Sequence, residues 1–152
     1  MKRSSLMIAV ALLAAGCGGG RGATPASPAE APAPAPPAAV DWERAQKLEV
    51  VLDDFSFNPS QVVLRANQPY VLQLRNASGT RHTFTAPEFF RTAALGPGPE
   101  SAQIRDAGGT VSVAAGQSAE IDVLPLRSGT YPLSCDRPLH SVFGMTGTVV
   151  VK

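Results

Sequence analysis

Residues 41–152 predict an all-β domain, a sandwich or barrel of short strands, on three observations. Apolar and polar side chains alternate with a two-residue period along much of this stretch. Turn-forming pairs interrupt the runs at Asn58-Pro59, Ala66-Asn67, Gly108-Gly109 and Ser128-Gly129. Only one segment carries a helix signal. Regularly spaced short strands with little helix are the pattern of sandwiches and barrels.

Taken in order, Leu48, Val50 and Leu52 share one face of a first strand. Phe55 and Phe57 resume in the opposite phase, which predicts a bulge or bend near Asp53-Asp54. Gln61 to Leu64 forms a short second strand. Tyr70, Leu72 and Leu74 alternate with Val71, Gln73 and Arg75 in a half-buried strand. A helical turn follows Ala86, with Pro87 at its first position and Ala93, Ala94 and Leu95 behind it. Thr110–Val113 and Ala119–Val123 form a further pair joined through Ala114–Gln117. Tyr131, Leu133 and Cys135 fall on one side of the next strand, and Met145, Gly147, Val149 and Val151 on one side of the last. No internal repeat is visible.

The N-terminal part reads differently. Lys2 and Arg3 precede a short apolar run from Leu6 to Ala15, well below the roughly 20 residues of a membrane-spanning helix. The run ends in Leu12-Leu13-Ala14-Ala15-Gly16-Cys17, which resembles a bacterial lipobox with Ala14 where Leu is usual. Residues 1–16 are therefore expected to be a lipoprotein signal peptide and Cys17 the lipidated N-terminus. Residues 17–40 are rich in Gly, Ala and Pro, and Pro28, Pro32, Pro34, Pro36 and Pro37 forbid a continuous helix. This stretch is expected to be a disordered tether between lipid and domain. The expected location is the periplasmic face of a bacterial membrane, inner or outer; Gly18 lacks the Asp that signals inner-membrane retention in enteric-type bacteria, which leaves the outer membrane open as well as the inner.

The chain has 13 Lys and Arg against 12 Asp and Glu, and three and one of these precede residue 41, leaving ten and eleven in the domain. A near-neutral domain without a basic stripe argues against a nucleic-acid partner. There are two cysteines and two histidines. A Cys17–Cys135 disulfide would tie a flexible tail to a strand end, so an exported chain keeps Cys135 as an unpaired thiol, and metal coordination supplies a reason for one.

The chemistry concentrates in Cys135-Asp136-Arg137-Pro138-Leu139-His140-Ser141-Val142-Phe143-Gly144-Met145 and in His82. The first stretch spaces a thiolate, an imidazole and a thioether as C-x4-H-x4-M. The alternation turns Cys135 inward at a strand end, places His140 in the following loop and lets Met145 open the next strand. His82 reaches the same end through the Ala77–Arg81 loop. Two imidazoles, a thiolate and a weak axial thioether are the donor set of a blue-copper electron-transfer site.

Residues 46–152 resemble a small cupredoxin of the plastocyanin/azurin type. Besides the Cys–His–Met loop, the matching pieces are Asp54-Phe55-Ser56-Phe57-Asn58-Pro59, Arg81–Phe90 and Gly129-Thr130-Tyr131. The resemblance implies a Greek-key β-sandwich that holds one type 1 copper and catalyses no bond-making. It also implies that His82, Cys135 and His140 are the strong ligands and Met145 the long axial one. Three residues depart from the pattern: Thr83 stands where plastocyanin-like proteins place Asn, Leu139 where Gly is common, and Pro132 removes a donor from the strand leading to Cys135.

In such proteins the loop histidine shows its ring edge at the surface. Pro138, Leu139, Val142 and Phe143 are expected to surround His140 as an apolar docking patch, bordered by Arg137, Arg81 and Arg91. The expected partners are redox proteins, such as a cytochrome or a respiratory oxidase component, and the membrane through the lipid. The alternative with the same ligands is a periplasmic carrier or storage protein for copper supply or resistance; no Met- or His-rich tract supports it. An enzyme using Cys135 as nucleophile and His140 as base would need an orienting carboxylate and oxyanion donors, and Asp136 beside the thiol is no orienting geometry.

Overall fold

The strands are β1 (Gln46–Asp53), β2 (Ser56–Asn58), β3 (Gln61–Leu64), β4 (Tyr70–Asn76), β5 (His82–Thr85), β6 (Ala93–Leu95), β7 (Thr110–Val113), β8 (Ser118–Pro125), β9 (Gly129–Ser134) and β10 (Thr146–Val151). They make two five-stranded sheets, ordered β2-β1-β4-β8-β6 and β3-β10-β9-β5-β7. The computed structural model describes residues 40–152 apart from 139, 141 and 142. The expected signal peptide, Cys17 and nearly all of the tether lie outside the described residues, as do Leu139 and Val142. Among the described residues no helix is long and apolar enough to cross a membrane.

The chain passes from sheet to sheet repeatedly, and β1–β4 and β3–β10 pair in parallel while the other neighbours are antiparallel. This non-sequential order is that of a Greek-key sandwich. Its core follows from the alternation. Val50, Leu52, Leu72, Leu74, Ile121 and Val123 of one sheet share a buried cluster with Val62, Leu64, Phe84, Val111, Leu133 and Val149 of the other.

Three local features differ from the sequence reading, and a fourth settles between its alternatives. The phase change after Leu52 is a bend and not a bulge: Asp53 pairs with Ser56, and Asp54-Phe55 form the hairpin turn between them. Phe55 takes φ 63, a left-handed conformation uncommon for a bulky residue. β7 and β8 do not pair; Ala114–Gln117 carries the chain from one sheet to the other, where β7 joins β5 and β8 joins β4. Ala93–Leu95 leave the helical turn and pair with β8 as β6. The turn itself is helix α1 (Pro87–Arg91), and a second helix, α2 (Pro99–Asp106), follows.

Pro132 is accommodated by register. It pairs with Thr148 of β10, whose N–H donates outward to the Ser60 carbonyl. In an antiparallel ladder that makes Thr148–Pro132 a non-hydrogen-bonded pair, so the Pro132 nitrogen faces β5. There β9 and β5 pair only at Thr85–Ser134, and no ladder bond is lost.

Candidate metal centre

The C-terminal end of β9 lies between β5 and β10, and this adjacency assembles the site. Beyond Ser134 the loop is stitched by its own backbone. Cys135 N–H donates to the Met145 carbonyl at 3.1 Å, Met145 N–H to the His140 carbonyl at 2.9 Å, and His140 N–H to the Arg137 carbonyl at 3.1 Å. The backbones of all three sulfur- and nitrogen-bearing residues are thus held within one hydrogen-bonded loop. Cys135 and Met145 are fully buried, and His140 is half-buried.

His82 opens β5 and is also fully buried. Its Nδ1 lies 3.9 Å from Cys135 Sγ, and its ring centroid is 5.0 Å from that of His140. The opposite nitrogen, Nε2, is 2.8 Å from Ser78 Oγ and 3.6 Å from Asp54 Oδ1. Ser78 is itself placed by Asn76, whose Oδ1 accepts from the Ser78 backbone N–H at 3.0 Å. The Asn76 amide reaches the Thr80, Val113 and Ala114 carbonyls. This network gives Nε2 an acceptor for its proton and leaves Nδ1 deprotonated toward the sulfur. A hydrogen bond at the far nitrogen is how a ligating histidine is oriented and its tautomer selected. Burial pushes the His82 imidazole below its ordinary 6.5, His140 adds to the shift, and Asp54 opposes it. Burial thus favours the neutral form of the ring, the form that a metal ligand must take.

The donor set fits a copper ion on three counts. One nitrogen each of His82 and His140 and the Cys135 sulfur lie within 4.8 Å of one another. Cys135 is a free thiol. His140 Nδ1 is buried and is the one such side-chain nitrogen or oxygen without a hydrogen-bond partner among the described residues. A buried nitrogen lone pair left unpaired is costly unless something binds it. Two imidazoles and a thiolate, with the buried Met145 hydrogen-bonded through its backbone to Cys135 and His140, select copper over harder metals, and the four residues are positioned for a single type 1 site.

Of the expected docking residues, Pro138 and Phe143 are exposed, and Arg137 is half-buried, with its guanidinium donating to the Arg81 carbonyl at 2.9 Å. Arg91 lines a cleft with Ile104 and Arg105. Phe55 was absent from the expected patch. Its ring packs at 5.1 Å on His140 and at 5.6 Å on Phe143, and it is 44% exposed. Asn76, Ser78, Asp54 and Phe55 are the site residues that sequence reasoning missed. The Asp54–Pro59 stretch was noted for its resemblance, but nothing local ties Phe55 to a histidine 85 positions later.

A two-sheet Greek-key sandwich with this donor set at one end defines a cupredoxin. The cupredoxin-like domain family matches residues 27–151, and the chain belongs to it. Among solved structures, the dithionite-reduced auracyanin of Roseiflexus castenholzii superposes with a TM-score of 0.51 at 16% identity, covering 71% of this chain and 98% of that one. The McoA multicopper oxidase of Aquifex aeolicus gives 0.56 at 16% identity, covering 76% of this chain and 31% of the oxidase. A multicopper oxidase of Pediococcus acidilactici gives 0.54 at 14% identity, with 76% and 28% covered. These likenesses are of fold. No curated protein matches the chain by sequence.

Proposed function

We propose that this protein carries single electrons as a blue copper protein, with His82, Cys135 and His140 as the strong ligands and Met145 as the weak axial one. The observation that carries the proposal is the cluster of His82, Cys135 and His140, whose donor atoms lie within 4.8 Å of one another, together with the unpartnered buried Nδ1 of His140. Copper bound there supplies a one-electron couple. The chain's part is to hold the donors still while the charge changes: the stitched loop fixes three of them, and Ser78 and Asn76 fix the fourth. Full burial of Cys135 leaves the thiol no open face for a substrate, which disfavours nucleophilic catalysis.

Electrons pass at the half-buried His140, where Pro138, Phe143 and Phe55 offer apolar surface to a redox partner and Arg137 a positive rim. Electron self-exchange of the copper-loaded protein, read from NMR line broadening in mixed oxidation states, tests this. Fast exchange with copper retained against a chelator is expected, and Arg137→Glu is expected to change the rate and its salt dependence. Slow exchange with ready release to the chelator would instead make the protein a copper carrier. An unaltered salt profile in Arg137→Glu would remove the steering role.

The same proposal places the domain at the periplasmic face of a membrane through a lipidated Cys17. Full-length protein is expected in the membrane fraction of expressing bacteria, and Cys17→Ser protein in the soluble fraction. Equal partitioning of the two would exclude the anchor.

A further inference from the structure

The Thr83 hydroxyl has one hydrogen and faces two acceptors. It lies 2.6 Å from Asp136 Oδ1 and 3.6 Å from Cys135 Sγ. Its oxygen also receives the Asp136 backbone N–H at 2.8 Å. A carboxylate only accepts, so the hydroxyl hydrogen is committed to Asp136 through a short charge-assisted bond. With that hydrogen placed, the Thr85 hydroxyl at 3.3 Å acts as a second donor to Thr83, and Thr85 accepts from Thr110 Oγ1 at 3.2 Å. Three hydroxyls on β7 and β5 thus point one way, toward Asp136 and away from the sulfur. Each donated bond makes the next hydroxyl a better donor, so the chain reinforces its own direction. Among the described residues the only other polar hydrogen-bond contact of Cys135 Sγ is His82 Nδ1, which lies on the metal side.

We infer that Asp136 is a positioning residue that withholds the Thr83 hydrogen bond from the Cys135 sulfur and so holds the centre's reduction potential low. The inference rests on the reading of Cys135 as a copper ligand. A thiolate that accepts a hydrogen bond gives less electron density to the metal, which favours the reduced state. Hydrogen bonding at the cysteine sulfur is one of the recognised controls on blue-copper potentials. Here the donor is in place, two strands are arranged around it, and its hydrogen goes elsewhere. The Asp136 carboxylate also puts a negative charge next to the sulfur-bearing residue, and the two effects are separable. Asparagine removes the charge but keeps an oxygen that accepts from Thr83, whereas alanine removes both.

The test is a redox titration, with the visible spectrum, of the copper-loaded protein and its Asp136→Asn, Asp136→Ala and Asp136→Ala/Thr83→Val variants. Asp136→Ala is expected to raise the potential and move the thiolate-to-Cu(II) band to higher energy. Asp136→Asn, close to isosteric, is expected to give a smaller rise with the band in place. Adding Thr83→Val to Asp136→Ala is expected to return the band to its original position. The same shift for Asn and Ala, or a band that ignores Thr83→Val in the Ala background, would overturn the inference. An unchanged potential in Asp136→Asn together with an unchanged one in Asp136→Ala would overturn it as well. Lack of an intense blue band in the unsubstituted protein would instead sink the copper reading on which it stands.

Discussion

Cys135→Ala is expected to fold and to retain some affinity for copper while losing the intense blue absorption entirely. The band arises from charge transfer out of a thiolate bonded to Cu(II), and Cys135 is the one cysteine in the folded domain. Its side chain is small and fully buried beside Leu133, so alanine removes the sulfur with little packing loss. The remaining nitrogen donors of His82 and His140 still bind cupric ion, but in an ordinary tetragonal manner. Affinity should fall by more than the 10–100-fold that loss of an outer-shell partner costs. Visible and EPR spectra of the variant with one equivalent of Cu(II), and competition with a chelator, measure both effects. An undiminished blue band would remove Cys135 from the site.

Phe84→Ala is expected to cost about 3–5 kcal/mol, the range for truncating a buried aromatic. Phe84 is fully buried in β5 and makes edge contacts with Phe57 and Phe90, both at 6.1 Å between centroids. It thereby ties the β2 hairpin and α1 to the strand that carries His82. Urea unfolding of the metal-free protein should show a lowered midpoint with an unchanged slope, since the loss is of packing and not of two-state behaviour. A cost below 1 kcal/mol would mean that the core closes over the void without the aromatic cluster.

Where side chains alternate cleanly, the sequence told the fold well. β3 and β4 fall where the pattern places them: β3 alternates exposed and buried residues throughout, and β4 buries Tyr70, Leu72 and Leu74 while Gln73 and Arg75 on its other face are more open. It misled where tertiary pairing overrides local signals. Ala93–Leu95 favour a helix by propensity, yet pairing with Pro125, Leu124 and Val123 of β8 makes them a strand. The four residues between β7 and β8 look like a hairpin loop, although they cross between sheets. Helix α2 carries Pro99 at its start, Glu100 in its first turn and Arg105 in its last. Its buried residues are only Ser101 and Ile104, too thin an apolar face to register as a period.

The metal centre was legible in the same uneven way. His82, Cys135, His140 and Met145 could be read because scarce residue types fall at a ligand spacing. Ser78 and Asn76 could not, since Ser and Asn in a loop usually serve the turn alone. Thr83 was noticed only as a departure from Asn, and its partner Asp136 only as a neighbour of the thiol. Their shared bond becomes visible once β5 and the end of β9 lie side by side.

The most direct measurement is the electronic and EPR spectrum of unsubstituted residues 41–152 on titration with Cu(II). Saturation at one equivalent, with a strong blue band and a narrow copper hyperfine splitting, is the predicted result. A colourless complex, or a spectrum of tetragonal nitrogen–oxygen binding, would contradict coordination through the Cys135 sulfur.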